Sequence, residues 1–313
     1  MMSWSTGRRL ISRTIFFALP WLLHPGMAAA QPAAVAPPQL GQGGKDVMWL
    51  PTKDAMMERL FLMAGVSASD FLVDLGSGDG KIVISAARNL GARALGIEFN
   101  PRMVDYARAR ADAAGVAQKA QFQQGDIFAT DFSKATVVTL YLLPELNLRL
   151  RPTLFKMKPG TRVVSNSWDM QGWRPDETST VDLAKGFLWV IPANVAGTWK
   201  LTYRGYRDAA PDELVIRQRF QSIEGEAKFP HIEAGLFDAA LRGDAVRFGF
   251  RDAKGAQVRL QAKVDGELMR GTFDAGKGRK GTFEARRVAG GTAFPEAVPT
   301  EQESMESVRV LGN

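Results

Sequence analysis

An open, doubly wound α/β sheet followed by a smaller antiparallel β module is the architecture this sequence predicts, and three observations carry the prediction. Residues 71–84 read FLVDLGSGDGKIVI: an apolar run, a turn with glycine at 76, 78 and 80, then an apolar and Ala-rich segment, which is the signature of strand, tight turn and helix. Residues 135–143 (ATVVTLYLL) form a continuous, largely β-branched run, as expected of a central parallel strand buried on both faces. From about residue 197 the pattern changes to alternation, in KLTYRG, ELVIRQRFQSIEG, AVRFGFRD, AQVRLQAKVDG, ELMRGTF and KGTFEARRV. Apolar residues at every second position, broken by Gly and Asp, predict an antiparallel barrel or sandwich with charged residues facing outward.

Taken in order, the chain opens with a targeting segment. Arg8, Arg9 and Arg13 precede the apolar run 15–23, and Ala28, Ala29 and Ala30 provide a small-residue cleavage site before Gln31. The run is too short to span a bilayer comfortably, so residues 1–30 read as a cleaved signal peptide of an exported, periplasmic or cell-envelope protein with no stable membrane span afterwards. Gly7 stands where a twin-arginine signal has Ser or Thr, which favours the ordinary secretory route. Residues 31–46 (QPAAVAPPQLGQGGKD) have the composition of a linker. The first folded unit is expected over 47–193, the β module over 196–289 and a flexible tail over 290–313.

VMWLP at 47–51 runs into Thr52, a plausible N-cap for a helix over 53–64 whose Met56, Leu60 and Met63 recur at helical spacing and pack on the sheet. The glycine turn follows. Glycines permit positive φ and clear side chains from the backbone, while free N–H groups at the next helix start form a polar rim. The spacing separates two cofactor types. A dinucleotide turn needs its third glycine at position 81, where this chain has Lys. The acids Asp74 and Asp79 would repel a pyrophosphate and suit a cationic ligand. After the next strand (92–98, ending in Glu98), Asn100 caps a helix to about residue 114 that begins with Pro101 and turns Val104, Ala107 and Ala111 inward. A strand into Gly125-Asp126, the central run ending at Leu143-Pro144-Glu145, a helix over 145–157 and a strand over 162–165 complete the parallel part. The pair 178–183 and 187–192 closes the sheet. Trp168 and Asp169, just past the 162–165 strand, are candidate substrate contacts.

Absences exclude several chemistries. The 313 residues contain no Cys, and the only histidines are His24 and His231, so disulfides, thiolate nucleophiles and multi-His metal sites are out and no metal is expected. No G-x-S-x-G precedes His231. The net charge of +7 is spread among acids, with no dense basic run outside the leader, and reads as a solvated surface.

Asp74 to Gly80 resembles the first motif of the class I, Rossmann-like seven-strand S-adenosylmethionine-dependent methyltransferases. The run from VMWLPT through DLGSGDG, GIEFNP, GDIF and TLYLLPELN to NSWDM, about residues 47–191, is similar to a bacterial group related to the mitochondrial lysine methyltransferases of the adenine nucleotide translocase and the ATP synthase c-ring. The resemblance implies S-adenosyl-L-methionine as cofactor, with Glu98 on the ribose hydroxyls and Asp126 on the adenine amino group beside Ile127. Thr52, with Trp49 and Pro51, would close over the methionine end. Asp74, Gly76, Ser77, Gly78, Asp79, Gly80, Asn100, Leu142 and Pro144 complete the implied cofactor set. The Asp/Asn-Pro-Pro-Tyr of base amino-methyltransferases is missing at 142–145, so a protein or small-molecule amine, lysine included, is the expected acceptor and nucleic acid is not. Displacement at an activated sulfonium needs mainly alignment and exclusion of water, and Glu145 or Asp169 could steer the acceptor's proton. Two other readings stay open. One is an exported binding protein that keeps a catalytically silent methyltransferase fold, since the cofactor is not obviously supplied outside the cytoplasm. The other is a nicotinamide oxidoreductase, which Lys81 disfavours.

Overall fold

The computed structural model describes residues 1–2, 37–41, 43, 48–205 and 210–294. The segment over 3–30 expected to be a signal peptide, most of the expected 31–46 linker and the expected tail beyond 294 lie outside the described residues.

The first sheet is built around β1 (Phe71–Leu75), whose Leu72, Val73 and Leu75 are at most 1% exposed. Its partners are β2 (Arg93–Glu98), β3 (Ala120–Gln124), β4 (Val137–Leu140), β5 (Arg162–Asn166), β6 (Glu177–Val181) and β7 (Ala184–Val190), in the order β3-β2-β1-β4-β5-β7-β6. β1 to β5 pair in parallel, while β7 runs antiparallel to both β5 and β6. Every residue of β4 is buried, as its unbroken apolar run requires of a strand covered on both faces. The chain passes from β1 outward to β3 and then returns to β4 on the other side, so the C-terminal ends of β1 and β4 flank a crevice where ligands bind in folds of this kind.

Among the described residues four helices cover the sheet: α1 (Asp54–Ala64), α2 (Lys81–Leu90), α3 (Pro101–Ala113) and α4 (Pro144–Leu154). In α1, Met56, Leu60 and Met63 converge on Gly186 of β7, where a Cβ would come within 3.0 Å of Leu60. The N-cap of α1 is Lys53, without a side-chain cap bond. Thr52 is therefore not the cap that the sequence suggests: one residue further from the helix, it is buried and turned toward the sheet instead. Asn100 does cap α3, accepting a hydrogen bond from the Arg102 N–H (3.0 Å).

The second sheet has nine strands, all antiparallel: β8 (Gly197–Arg204), β9 (Glu213–Arg219), β10 (Ser222–Lys228), β11 (Glu233–Gly235), β12 (Phe237–Arg242), β13 (Ala245–Arg251), β14 (Gln257–Asp265), β15 (Leu268–Asp274) and β16 (Lys280–Gly290), in the order β11-β10-β9-β8-β16-β15-β14-β13-β12. Its two edges approach each other, β10 toward β12 and β11 toward β13, so the sheet curls into a nearly closed barrel around one core. β14 shows the cause: its residues alternate strictly between exposed and buried. The two sheets meet through aromatic rings. Phe155 packs on Trp173 (4.7 Å between ring centroids), on Phe220 (5.6 Å) and on Phe294 (4.5 Å, stacked). Ala293 is buried and its carbonyl accepts from the Phe220 N–H, so residues 293–294, placed in the tail by sequence, are packed.

Candidate functional site

A cavity of about 500 Å³ opens at the C-terminal ends of β1, β2 and β4, large enough for a cofactor-sized ligand. The turn after β1 forms its floor. Gly76, Gly78 and Gly80 all hold positive φ (81°, 52° and 78°), and at Gly78 a Cβ would sit 2.5 Å from Trp49 Nε1. The indole of Trp49 thus lies directly on the glycine backbone, which only glycine permits.

The acids of the turn have separate surroundings. Asp74, at the end of β1, is buried and accepts a hydrogen bond from Thr139 Oγ1 of β4 (2.5 Å). Desolvation, reinforced by the negative charges of Asp79 and Glu98 and opposed by the Thr139 bond, pushes its carboxyl up to about 7. Glu98 spans two backbone segments, accepting from the Gly78 N–H with Oε2 (2.9 Å) and from the Asn100 N–H with Oε1 (2.9 Å). Asp79, expected to attract a cationic ligand together with Asp74, is instead ion-paired with Arg110 of α3 and accepts from the Lys81 N–H (3.2 Å). Arg110 screens that charge, and the preference for a cation rests on Asp74 and Glu98. Asp126 accepts from the Phe128 N–H (2.9 Å) in the turn after β3.

Of the cofactor residues read from sequence, Thr52, Asp74, Gly76, Ser77, Asp79, Glu98, Asn100, Asp126, Ile127 and Leu142 line the cavity. Gly78, Gly80 and Pro144 do not. The first two shape the turn from behind, with a Cβ at Gly80 coming within 2.6 Å of Phe122, and Pro144 starts α4. Glu145 and Asp169 are also outside the lining. Glu145 is exposed in the first turn of α4, while Leu143, the N-cap, and Leu146, within the helix, line the cavity, and exposed Asp169 accepts from the Gln171 N–H (3.1 Å). The structure adds Phe99, Met103, Tyr141, Leu146 and Ser167 to Trp49, Pro51 and Trp168. Tyr141 was hidden inside a run that reads as buried strand; the only signal for it was its place one residue past the last paired position of β4.

The roof is residues 48–52. Lys81 Nζ donates to the Thr52 carbonyl (2.8 Å) and pairs with Asp54 (2.6 Å), and Asn166 Nδ2 donates to Thr52 Oγ1 (3.4 Å). Lys81 is the one cation in the described lining and is committed to these partners, which leaves none for a pyrophosphate. Ser77 Oγ is buried beside the cavity with no hydrogen-bond partner among the described residues. An orphaned hydroxyl, two carboxylates with partly free lone pairs and apolar walls fit a cationic ligand that also carries hydroxyls and an aromatic base.

Comparison with known proteins agrees. Residues 74–177 match the family described as the ANTKMT methyltransferase domain. A protein-lysine N-methyltransferase of Saccharolobus islandicus is 41% identical over 138 residues, which cover 44% of this chain and 86% of that protein. The adenine nucleotide translocase lysine N-methyltransferase of Mus musculus is 37% identical over 106 residues, 33% of this chain and 46% of that enzyme, so the match spans about half the length of that relative. The crystal structure of an RNA methyltransferase from Salinibacter ruber with S-adenosyl-L-homocysteine has 50% identity, covers 47% of this chain and 96% of that chain, and superposes with a TM-score of 0.46. The glycine turn with its acids and the match across most of the Saccharolobus enzyme place the chain in a family: it belongs to the class I S-adenosylmethionine-dependent methyltransferases of the ANTKMT group.

Proposed function

We propose that the protein transfers a methyl group from S-adenosylmethionine to the ε-amine of a protein lysine. The observation that carries this reading is the division of the cavity into two ends. The carboxylates of its described lining, Asp74, Asp79, Glu98 and Asp126, all come from the β1–β3 side, whereas Tyr141, Leu142, Leu143, Leu146, Ser167 and Trp168 from the β4–β5 side form an apolar and aromatic wall. The first end suits the cofactor's ammonium, hydroxyls and base. The second suits the aliphatic stem of a lysine. The lysine methyltransferases among the relatives support the same choice of acceptor.

In this reading Glu98 orients the ribose with the lone pairs that Gly78 and Asn100 leave over, Asp126 and Ile127 hold the base, and Asp74 and Ser77 face the methionine portion. When bound, the cofactor supplies an activated sulfonium methyl, and the chain's own contribution is alignment and exclusion of water by the Trp49–Thr52 roof. No carboxylate faces the acceptor among the described lining residues. The acceptor ammonium therefore gives its proton to solvent, and its lone pair would then form the new C–N bond as the methyl–sulfur bond breaks and leaves its electron pair on the departing thioether. Labelled methyl transfer from S-adenosylmethionine to a mixture of envelope proteins, followed by acid hydrolysis, tests the assignment: label in methyl-lysines supports it, and label confined to other residues or absent refutes it. Export of the protein belongs to the same proposal. It rests on the Arg-flanked apolar run 15–23 and the alanines before Gln31, and N-terminal sequencing of the mature protein decides it.

A further inference from the structure

The second sheet reaches the acceptor end of the cavity through one turn. β9 and β10 are joined by Phe220 and Gln221, and Phe220 holds a φ of 56°, a left-handed conformation uncommon for an aromatic residue. The turn drives its ring, 4% exposed, into the core of the first sheet, 5.9 Å from Trp173 and 5.6 Å from the guanidinium carbon of Arg151. Gln221 holds the same place from beside it, accepting from Trp173 Nε1 (3.0 Å) and donating to the Arg174 carbonyl (2.6 Å).

Arg151 passes this hold onward. Its Nη1 donates to the carbonyls of Met170 and Gln171 (2.9 Å each). One helical turn earlier, fully buried Asn147 donates from Nδ2 to the carbonyls of Trp168 (3.3 Å) and Asp169 (3.2 Å), and Ser165 Oγ also donates to the Trp168 carbonyl (2.6 Å). The consecutive carbonyls of 168–171 are thus all gathered by side chains of α4 and β5, in a loop whose ends, Ser167 (φ 68°) and Gln171 (φ 31°), are both left-handed. A loop of that shape needs outside partners to persist. Trp168, inside it, lines the same cavity as Tyr141, and the strands they follow, β5 and β4, are neighbouring and parallel.

We propose that the β9–β10 turn of the barrel is a positioning element for the methyl acceptor: through Arg151 and Trp173 it sets the 167–171 loop so that Trp168 offers its ring to the acceptor's amine. The barrel is then part of the transferase rather than an appended packing unit. This deepens the amine-methylation reading and rests on it. An indole face attracts an ammonium group and its methylated forms, which gives the loop a direct effect on acceptor affinity.

The test needs no identified acceptor. Sinefungin carries an ammonium group on a carbon that replaces the sulfonium and its methyl, so its cation occupies the region an acceptor amine must enter; S-adenosylhomocysteine lacks it. Calorimetric titration of the full chain with each gives a ratio that reads the acceptor end and cancels changes at the cofactor end. Trp168→Ala is expected to lower the preference for sinefungin about tenfold with S-adenosylhomocysteine affinity within about twofold, and Trp168→Phe to keep most of it. Phe220→Ala and the milder Gln221→Ala, which removes two hydrogen bonds and no core ring, are expected to lower it in the same direction. Combined with Trp168→Ala they should lower it no further, because they act through that residue. An unchanged ratio in Trp168→Ala, barrel variants that add to it, or equal loss of both ligands in Gln221→Ala would overturn the proposal. Failure of the unaltered chain to bind either ligand would overturn the cofactor reading as well, which separates the two failures.

Discussion

Asp74 makes opposite demands on stability and on binding, and Asp74→Asn separates them. Burial raises its carboxyl from 3.8 to about 7. Below pH 3.8 both folded and unfolded chains hold the proton, and the group contributes nothing to pH dependence. Between 3.8 and 7 the unfolded chain ionises while the native one keeps its proton, so the native state binds more protons and stability falls as pH rises. Above 7 the loss is complete and amounts to about 4 kcal/mol, an upper figure because water entering the cavity would relieve it. Asparagine is a neutral isostere whose Oδ1 can still accept from Thr139. The variant should therefore match the parent near pH 4 and exceed it increasingly up to pH 7, by roughly 6–8 °C in Tm for a chain of this size. Ligand binding runs the other way: a cationic methionine ammonium favours ionised Asp74, so parent affinity for S-adenosylmethionine should rise through pH 7 while the variant's stays low and flat. Differential scanning calorimetry from pH 4 to 8, with and without ligand, measures both. A Tm difference independent of pH would refute the linkage argument, and equal ligand affinities would refute the assignment of Asp74 to the site.

Other substitutions probe the rest of the cavity. Glu98→Ala removes the bonds to the Gly78 and Asn100 N–H groups together with the proposed ribose contact, and about 2 kcal/mol, some thirtyfold in Kd for S-adenosylmethionine, is expected by titration; parental affinity would sink the ribose role. Gly78→Ala places a Cβ 2.5 Å from Trp49 Nε1 at a φ of 52°, so it should displace the indole, loosen the roof and cost on the order of 1–3 kcal/mol of stability, seen as a shift in Trp emission and in Tm. With solvent as proton acceptor, the rate of methyl transfer at fixed low acceptor concentration should rise about tenfold per pH unit toward the lysine pKa near ~10.4; a plateau between pH 6 and 7 would point to a protein base instead. Leu150→Ala, at a fully buried position of α4, should cost roughly 2–5 kcal/mol by denaturant unfolding while leaving the sinefungin preference intact if the loop is unmoved.

The site was legible where chemistry is written in neighbouring residues. Gly76 to Gly80 and the acids Asp74, Glu98 and Asp126 each sit at a strand end, and strand ends can be read from where an apolar run stops, so the sequence sufficed to bring them to one sheet edge. Asn100 could be read as a cap for the same reason: a cap needs only its own helix start. Where a residue's direction depends on packing, the reading went astray. Glu145 and Asp169 have the right chemistry and the right strand-end addresses, yet at the start of α4 Leu143, the N-cap, and Leu146 line the cavity, and the Asx turn at Asp169 keeps that carboxylate out of it. Thr52 looks like a helix cap in a linear view, but the Lys81 and Asn166 side chains, 29 and 114 positions away, draw it to the roof.

What the sequence determined by itself, then, was the order of strands and helices, the cofactor class and the acids that line the cavity, because these follow from hydrophobic period, glycine placement and charge over a few residues at a time. What only the tertiary structure decided was which side chains share a surface. The closure of the alternating strands into one barrel, the screening of Asp79 by Arg110, and the line from Phe220 through Arg151 to the Trp168 loop all join segments tens of residues apart. Such contacts are set by how complete elements pack, and no local pattern records them.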